Sequence, residues 1–362
     1  MNENCLLHSE TAKKLYFEYA RDLPVISFSA HHCASNRVFS NVTEAFILND
    51  YQKLDAMRQC GVDEKYISGD ASDYEKFKAF TSILPKFAGN PIYITSHIEF
   101  NKFFGCDLDI NEENCDALWN IANAVIENEC LSESKMAEME KGELVPVVYL
   151  DWYDELLSNK EVNDLGSLIN VLVTKMNIAE QNGCKKAFFG SFLHFVKPNP
   201  YKANEIVVNF KSGKTIPSQE DIELLDMQVL RTICLEAKAR DWTLFFSAIG
   251  RGDFCSEVEK YLKDNHVFPK IQVVHELVLG QSEEFLENIL RAHSLHYPIG
   301  DIVYTFNANN RVISYPEQDY FRRTLCNIIG TWVENGEYTS DEKILKELIQ
   351  NIFYNNLKEA IS

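Results

Sequence analysis

The sequence predicts an α/β fold, a parallel sheet or barrel with a long helical arm inserted after its first strand. Three observations predict it. Val25–Phe28 is a short apolar run behind Pro24, which reads as a buried strand. From Asn41 to about Lys141 the pattern is almost entirely helical, too long for one crossover helix. From Leu144 onward, apolar strand-like runs alternate with amphipathic helical stretches, the order that builds a parallel sheet.

The elements follow in order. Thr11–Arg21 reads as a helix with Leu15, Tyr16 and Tyr19 on its apolar side. The strand at Val25–Phe28 runs on through Ser29 and Ala30 to His31-His32-Cys33, at the carboxyl end where parallel barrels keep their chemistry. The arm is broken at Gly61-Val62, Gly69-Asp70 and Gly89-Asn90-Pro91. Leu144–Leu150 is the next strand. Asn163 or Asp164 caps a helix carrying Leu168, Ile169, Leu172, Met176 and Ala179, with Gly183 past its end. Ala187–Phe192 is a strand. Ser218 with Asp221 forms a capping pair for a helix carrying Ile222, Leu225, Val229, Ile233 and Ala237. Trp242–Ile249 and Lys270–Val274 are strands, Ser282 caps a helix over Phe285–Ala292, and Ile302–Phe306 closes the strand series. The tail from Glu317 is helical, with Gly330 and Gly336 as interruptions. Six strands are legible where a complete barrel needs eight. The expected segments are an N-terminal helix with the first strand (1–40), the arm (41–141), the remaining barrel elements (142–316) and C-terminal helices (317–362).

With 362 residues, 46% hydrophobic and 25% charged, the chain can bury a sizeable core. A net charge of −19 disfavours nucleic acid and anionic membrane surfaces as partners. No apolar run is long enough to span a bilayer, and no basic segment followed by an apolar stretch opens the chain. None of the ten cysteines falls in a CxxC pair, so reduced, mostly buried thiols in a cytoplasmic protein are expected.

Few motifs carry chemistry. His31-His32 offers imidazoles at a strand end, but adjacent strand residues point to opposite faces, and a metal needs three or four ligands. His293-x-x-His296 has metal-sharing spacing, yet it precedes Tyr297-Pro298 and reads as a loop. Ser212-Gly213-Lys214-Thr215 resembles the end of a phosphate loop, but Val208 stands where the leading glycine belongs. Arg251-Gly252-Asp253 reads as a turn. Asp151 and Asp154 sit at a strand end, where a solvated, helix-capping loop is favoured over paired acid/base work.

Longer blocks are more telling: Gly61-Val62-Asp63-Glu64-Lys65-Tyr66 through Phe77, then Asn90-Pro91-Ile92-Tyr93 with Ser96-His97-Ile98-Glu99. Ser314-Tyr315 through Arg322-Arg323, Cys326–Gly330 and Trp332–Tyr338 join them, and Leu6–Pro24 more weakly. Together these blocks resemble the uronate (glucuronate) isomerases of the amidohydrolase superfamily. The resemblance implies a distorted or incomplete (β/α)8 TIM-type barrel with a helical arm after the first strand. It also implies aldose–ketose isomerisation of uronates such as glucuronate and fructuronate, with a divalent metal, often zinc.

At the positions that resemblance assigns to metal and substrate, the residues differ. Asp-Tyr-His-Cys-His becomes Ser27-Phe28-Ser29-Ala30-His31, so Ser29 replaces one ligand and His31 alone remains. His-Tyr-Lys-Trp-Arg in the arm becomes Tyr51-Gln52-Lys53-Leu54-Asp55. Phe-Arg-Pro-Asp, whose Arg holds the uronate carboxylate, becomes Tyr149-Leu150-Asp151-Trp152. Ser-Asp-His-Gly becomes Ala187-Phe188-Phe189-Gly190, and Leu-His-Ile-Gly becomes Ser247-Ala248-Ile249-Gly250. Thr-Asp-Ser-Arg-Ser becomes Asn307-Ala308-Asn309-Asn310-Arg311, and two further family segments have no counterpart. Moving a proton between neighbouring carbons of a hydroxy-aldehyde needs a base and an electrophile at the carbonyl oxygen. Holding the substrate carboxylate needs a cation. Ser29, Leu150, Phe188, Phe189, Ala248, Ala308 and Asn310 supply none of these. The expectation is therefore a scaffold without the metal site or the activity, acting as a binding protein or pseudoenzyme. A small sugar-acid ligand and a homo-oligomer are admitted as partners. The alternative is an active isomerase with a rearranged, metal-dependent site drawing on His31, His32, His97, Asp151, Asp154, His275 and Arg311.

Overall fold

The computed structural model describes residues 3–29, 36–191, 195–248, 252–277, 282–295, 298–306 and 315–362. The chain divides into two compact units. The first comprises Met1–Val145, Leu277–Glu287 and Phe306–Ser362; the second comprises Pro146–Glu276 and Asn288–Thr305.

The first unit opens with α1 (Glu10–Lys14), capped by Ser9 and running on as a π turn through Ala20, then β1 (Val25–Ser29). The arm is α2 (Tyr51–Gln59), α3 (Asp73–Ile83), α4 (Pro91–Phe104), α5 (Cys115–Glu129) and α6 (Glu133–Met139). Its helices start where the sequence supplies caps. Ser72 and Glu75 form a capping box on α3, while Asn90 caps α4 with Pro91 at its first position. Gly69 is required in the turn before α3, because a Cβ there would lie 2.5 Å from the Lys65 Cα. The arm core is aromatic, with Phe46 edge-on to Phe80 and Phe100 at 5.7 and 5.2 Å. Within it the buried Lys53 ammonium donates to Glu99 Oε2 and to the Phe46 carbonyl, both at 2.7 Å, and lies 3.4 Å from the Phe46 ring centre. β2 (Gly142–Pro146) follows and pairs with β1.

The second unit carries a five-stranded sheet in the order β3 (Val148–Tyr149), β4 (Lys186–Ser191), β5 (Thr243–Ala248), β6 (Lys270–Leu277), β7 (Tyr304–Phe306). β3–β4, β4–β5 and β5–β6 are parallel, with Phe188 opposite Phe245 and Phe189 opposite Phe246. Between the strands run α7 (Trp152–Ser158), α8 (Leu165–Gln181), α9 (Pro200–Lys211), α10 (Gln219–Ala239), α11 (Gly252–Asp264) and α12 (Glu283–Ser294), whose residues up to Glu287 belong to the first unit. Strand alternation puts Ala187, Phe189, Leu244 and Phe246 in one core with Leu168, Leu172 and Met176 of α8 and Leu230, Ile233 and Ala237 of α10. The chain then returns to the first unit with α13 (Tyr315–Glu334), α14 (Glu342–Gln350) and α15 (Asn356–Ile361).

All six expected strands are present. The run 144–150 divides into β2 and β3, because Pro146 has no N–H to continue a ladder, and the two pieces pair in different sheets. The caps at Asp164, Ser218 and Ser282 stand as expected. Three local expectations are corrected, and one helix has no counterpart in the sequence reading. The stretch 200–211 is helical, opened by an Asn199 cap and Pro200, and the Ser212-Gly213 step is its C-terminus, with Gly213 at φ +72°. Gly252 and Asp253 begin α11 instead of closing a turn. His293 is helical. Gly330 does not interrupt α13; a Cβ there would lie 2.7 Å from the Ala12 N and 2.9 Å from its Cα, so glycine lets α13 press against α1.

Candidate functional site

In the first unit the candidate site begins with β1, and α13 fixes that strand. Arg322 is buried and donates to three carbonyls in the approach to β1: Arg21 (3.3 Å), Leu23 and Pro24 (2.9 Å each). Burial lowers its affinity for a proton, and the nearby Asp319 charge opposes that only in part. One turn earlier, Gln318 donates to the Ile26 carbonyl and to Ser27 Oγ at 3.3 and 3.2 Å. Arg323 donates to Asp319 Oδ2 at 2.8 Å and to the Tyr16 hydroxyl at 2.8 Å, while Tyr16 donates to Asp319 Oδ1 at 2.5 Å. Burial, then the Asp319 charge, push the Tyr16 phenol far above its usual range. This network ties the first helix, β1 and α13 together.

Ser29 is the last residue of β1. His31, His32, Ala308, Asn310 and Arg311 lie outside the described residues. Tyr51 and Gln52 open α2 behind the Asp50 cap, and Tyr51 is half in solvent. Lys53, the position unchanged from the family motif, is committed to its buried pair with Glu99.

In the second unit, Leu150 is buried in the core beneath the helices, as is Phe189, whose ring stacks on Phe246 at 6.3 Å and 10°. Phe188 points to the opposite face, against Tyr149 at 4.9 Å. Phe188 and Phe189 therefore do not line one pocket. Ala248 ends β5, in register with Ser191 of β4. The described part of the sheet face opposite the helices thus carries Tyr149, Phe188, Phe245 and Gln272 in one register row, with no carboxylate or imidazole among them.

Of the remaining candidate groups, His97 and Asp151 are engaged locally, whereas the buried His275 Nδ1 has no hydrogen-bond partner among the described residues. His97 on α4 is buried; its Nδ1 donates to the Tyr93 carbonyl at 2.7 Å and its Nε2 accepts from the Ile110 N–H at 3.1 Å. Burial holds it neutral, and both nitrogens are used, so His97 is a structural residue. Asp151 caps α7, accepting from the Asp154 N–H at 2.9 Å, and both are exposed. His275 on β6 is half-buried beside His293 of α12 at 5.8 Å and Tyr304 of β7 at 6.0 Å. Burial first, and then the His293 charge, lower its pKa to about 4. Sequence reading passed over Tyr304, whose neighbour His275 was the signal that could have found it.

The comparisons with known proteins fit this frame. A family model described as glucuronate isomerase matches residues 1–148 and 302–360. The chain belongs to the glucuronate isomerase family. A uronate isomerase of Lachnospira eligens is 26% identical, with 98% of this chain and 97% of the relative covered. One of Clostridium perfringens is 27% identical, with 98% of each covered. The alignment to the first spans 458 positions against a chain of 362 residues, so the relative carries stretches with no counterpart here. Solved structures of a uronate isomerase from Thermotoga maritima and a glucuronate isomerase from Caulobacter crescentus share the fold. Their TM-scores are 0.75 and 0.76, their identities 18% and 15%, and the whole of this chain is covered in each, with 99% and 96% of theirs. The α/β TIM-like fold expected from the sequence is therefore that of the family.

The family implies a divalent metal, and the donor chemistry at the corresponding positions does not fit one. By the sequence resemblance, Ser29, Ala248 and Ala308 occupy donor positions and His31 is the single imidazole retained, whereas a metal needs three or four good donors. Among the described residues no group of three or more His, Cys, Asp or Glu side chains comes together. None of the described helices is long and apolar enough to cross a membrane.

Proposed function

We propose that this chain is a glucuronate isomerase family member that has lost the metal-dependent isomerisation of uronates and persists as a binding or structural protein. The observation that carries the reading is the presence of Ser29, Leu150, Phe188, Ala248 and Ala308 at positions where the sequence resemblance places donors and cations, spread along the whole chain. Leu150 supports it, because a buried aliphatic in a helix-covered core cannot grip a carboxylate as an arginine does. On this reading no divalent cofactor is needed. The partners carried forward are a small sugar acid and a second copy of the chain.

The test is direct. The purified protein is assayed for bound zinc and manganese, and for conversion of glucuronate to fructuronate with and without added metal. The expected result is substoichiometric metal and no turnover. Stoichiometric metal with turnover would overturn the proposal in favour of an active isomerase with a rearranged site.

A further inference from the structure

The second unit contains a cavity of about 280 Å³ that plays no part in the reading above. It lies on the helix-covered side of the sheet, between β5 and β6 below and α10 and α11 above. Its walls are Leu230, Phe246, Val258, Leu262, Phe268 and Ile271, with the stem of Glu259 at one side. Leu230, Phe246, Val258 and Leu262 are buried, so the walls are fixed by the core around them. Glu259 is ion-paired with Lys263 one turn along α11, and that ammonium lies 5.0 Å from the centre of the Phe268 ring. The two rim charges therefore answer each other.

We propose that this cavity is a binding site for an uncharged aromatic molecule of one or two fused rings. Size sets the upper limit: an apolar protein cavity of about 150 Å³ holds benzene, and this one is nearly twice as large. Composition sets the chemistry. Aliphatic walls with two phenyl rings reward a flat apolar body, and no wall residue offers a buried polar partner. Charge sets the exclusion: with Glu259 already satisfied by Lys263, a charged ligand would enter without a counter-charge and lose its hydration. The site is independent of glucuronate chemistry.

Indole is the probe, with the ammonium-bearing tryptamine and the carboxylate-bearing indole-3-acetate as controls. Titration calorimetry, and methyl NMR reporting on Leu230, Leu262 and Ile271, should show saturable indole binding confined to those methyls. Both charged analogues should bind about tenfold more weakly or less. Val258→Phe and Leu230→Phe each fill the cavity from a different helix, and either one that folds should abolish the indole shifts. Absence of indole binding to the wild-type chain means a packing void only and overturns the proposal. Undiminished binding in a folded filled variant, or equal binding of the charged analogues, overturns it as well.

Discussion

The two units of this chain are held together by different physics, and they differ in how much family sequence they keep. The first unit accounts for nearly all of the matched residues, 1–148 and 302–360, and the second falls almost wholly in the unmatched stretch between them. The first unit adds to its aromatic core contacts that only one residue type can make. Lys53 neutralises Glu99, Arg322 reaches three carbonyls at once, and Gly330 leaves room for Ala12. The second depends on an apolar core of Leu, Ile, Val, Phe and Met. Such a core constrains volume and pattern more than identity. A buried ion pair or a backbone close approach dictates the letter, so a family signature outlasts drift where those contacts lie. The positions proposed to have lost donors occur in both units, Ser29 and Gln52 in the first and Leu150, Phe188 and Ala248 in the second, so that proposed loss does not follow the loss of signature.

That contrast can be broken by mutation. Lys53→Met keeps the length of the side chain but strands Glu99 without its cation, and should cost about 3–5 kcal/mol by denaturant unfolding. Gly330→Ala forces a methyl into the Ala12 backbone and should cost about 1–3 kcal/mol, with α1 losing amide-exchange protection first. Acid should weaken the second unit through His275, whose folded pKa of about 4 lies below its ordinary 6.5. The unfolded chain then takes up the proton first, so stability is full above about pH 6.5 and falls as pH drops toward 4. Allowing for a half-buried ring, the loss between pH 7 and 5 should be about 1–2 kcal/mol, and His275→Phe should flatten that slope. The smallest effect is Leu244→Met in the core of the second unit, which should cost less than about 1.5 kcal/mol. If Leu244→Met proved as damaging as Lys53→Met, the contrast between the units would fail.

Much of the architecture was legible without coordinates. Apolar runs bounded by breakers marked every strand, and Asp164, Ser218 and Ser282 marked helix starts, because caps and alternation are local. The helix after Asn199 escaped notice, since its start is hidden among prolines that read equally as loop. At the candidate site, the sequence resemblance supplied an expectation of which donors are replaced. It did not show that Phe188 and Phe189 face opposite sides, or that His97 spends both nitrogens on backbone groups.

The sequence by itself determined the order of the strands and of most helices, the arm and the family resemblance, since each rests on residue types at short spacing or in long similar blocks. Only the tertiary structure decided why Gly330 must be glycine, where the charge of Lys53 goes, how one apolar run is shared between two sheets, and that a cavity lies beneath α10 and α11. Those outcomes depend on which distant segments meet, and hydrophobic pattern specifies that a face is buried without specifying what it is buried against.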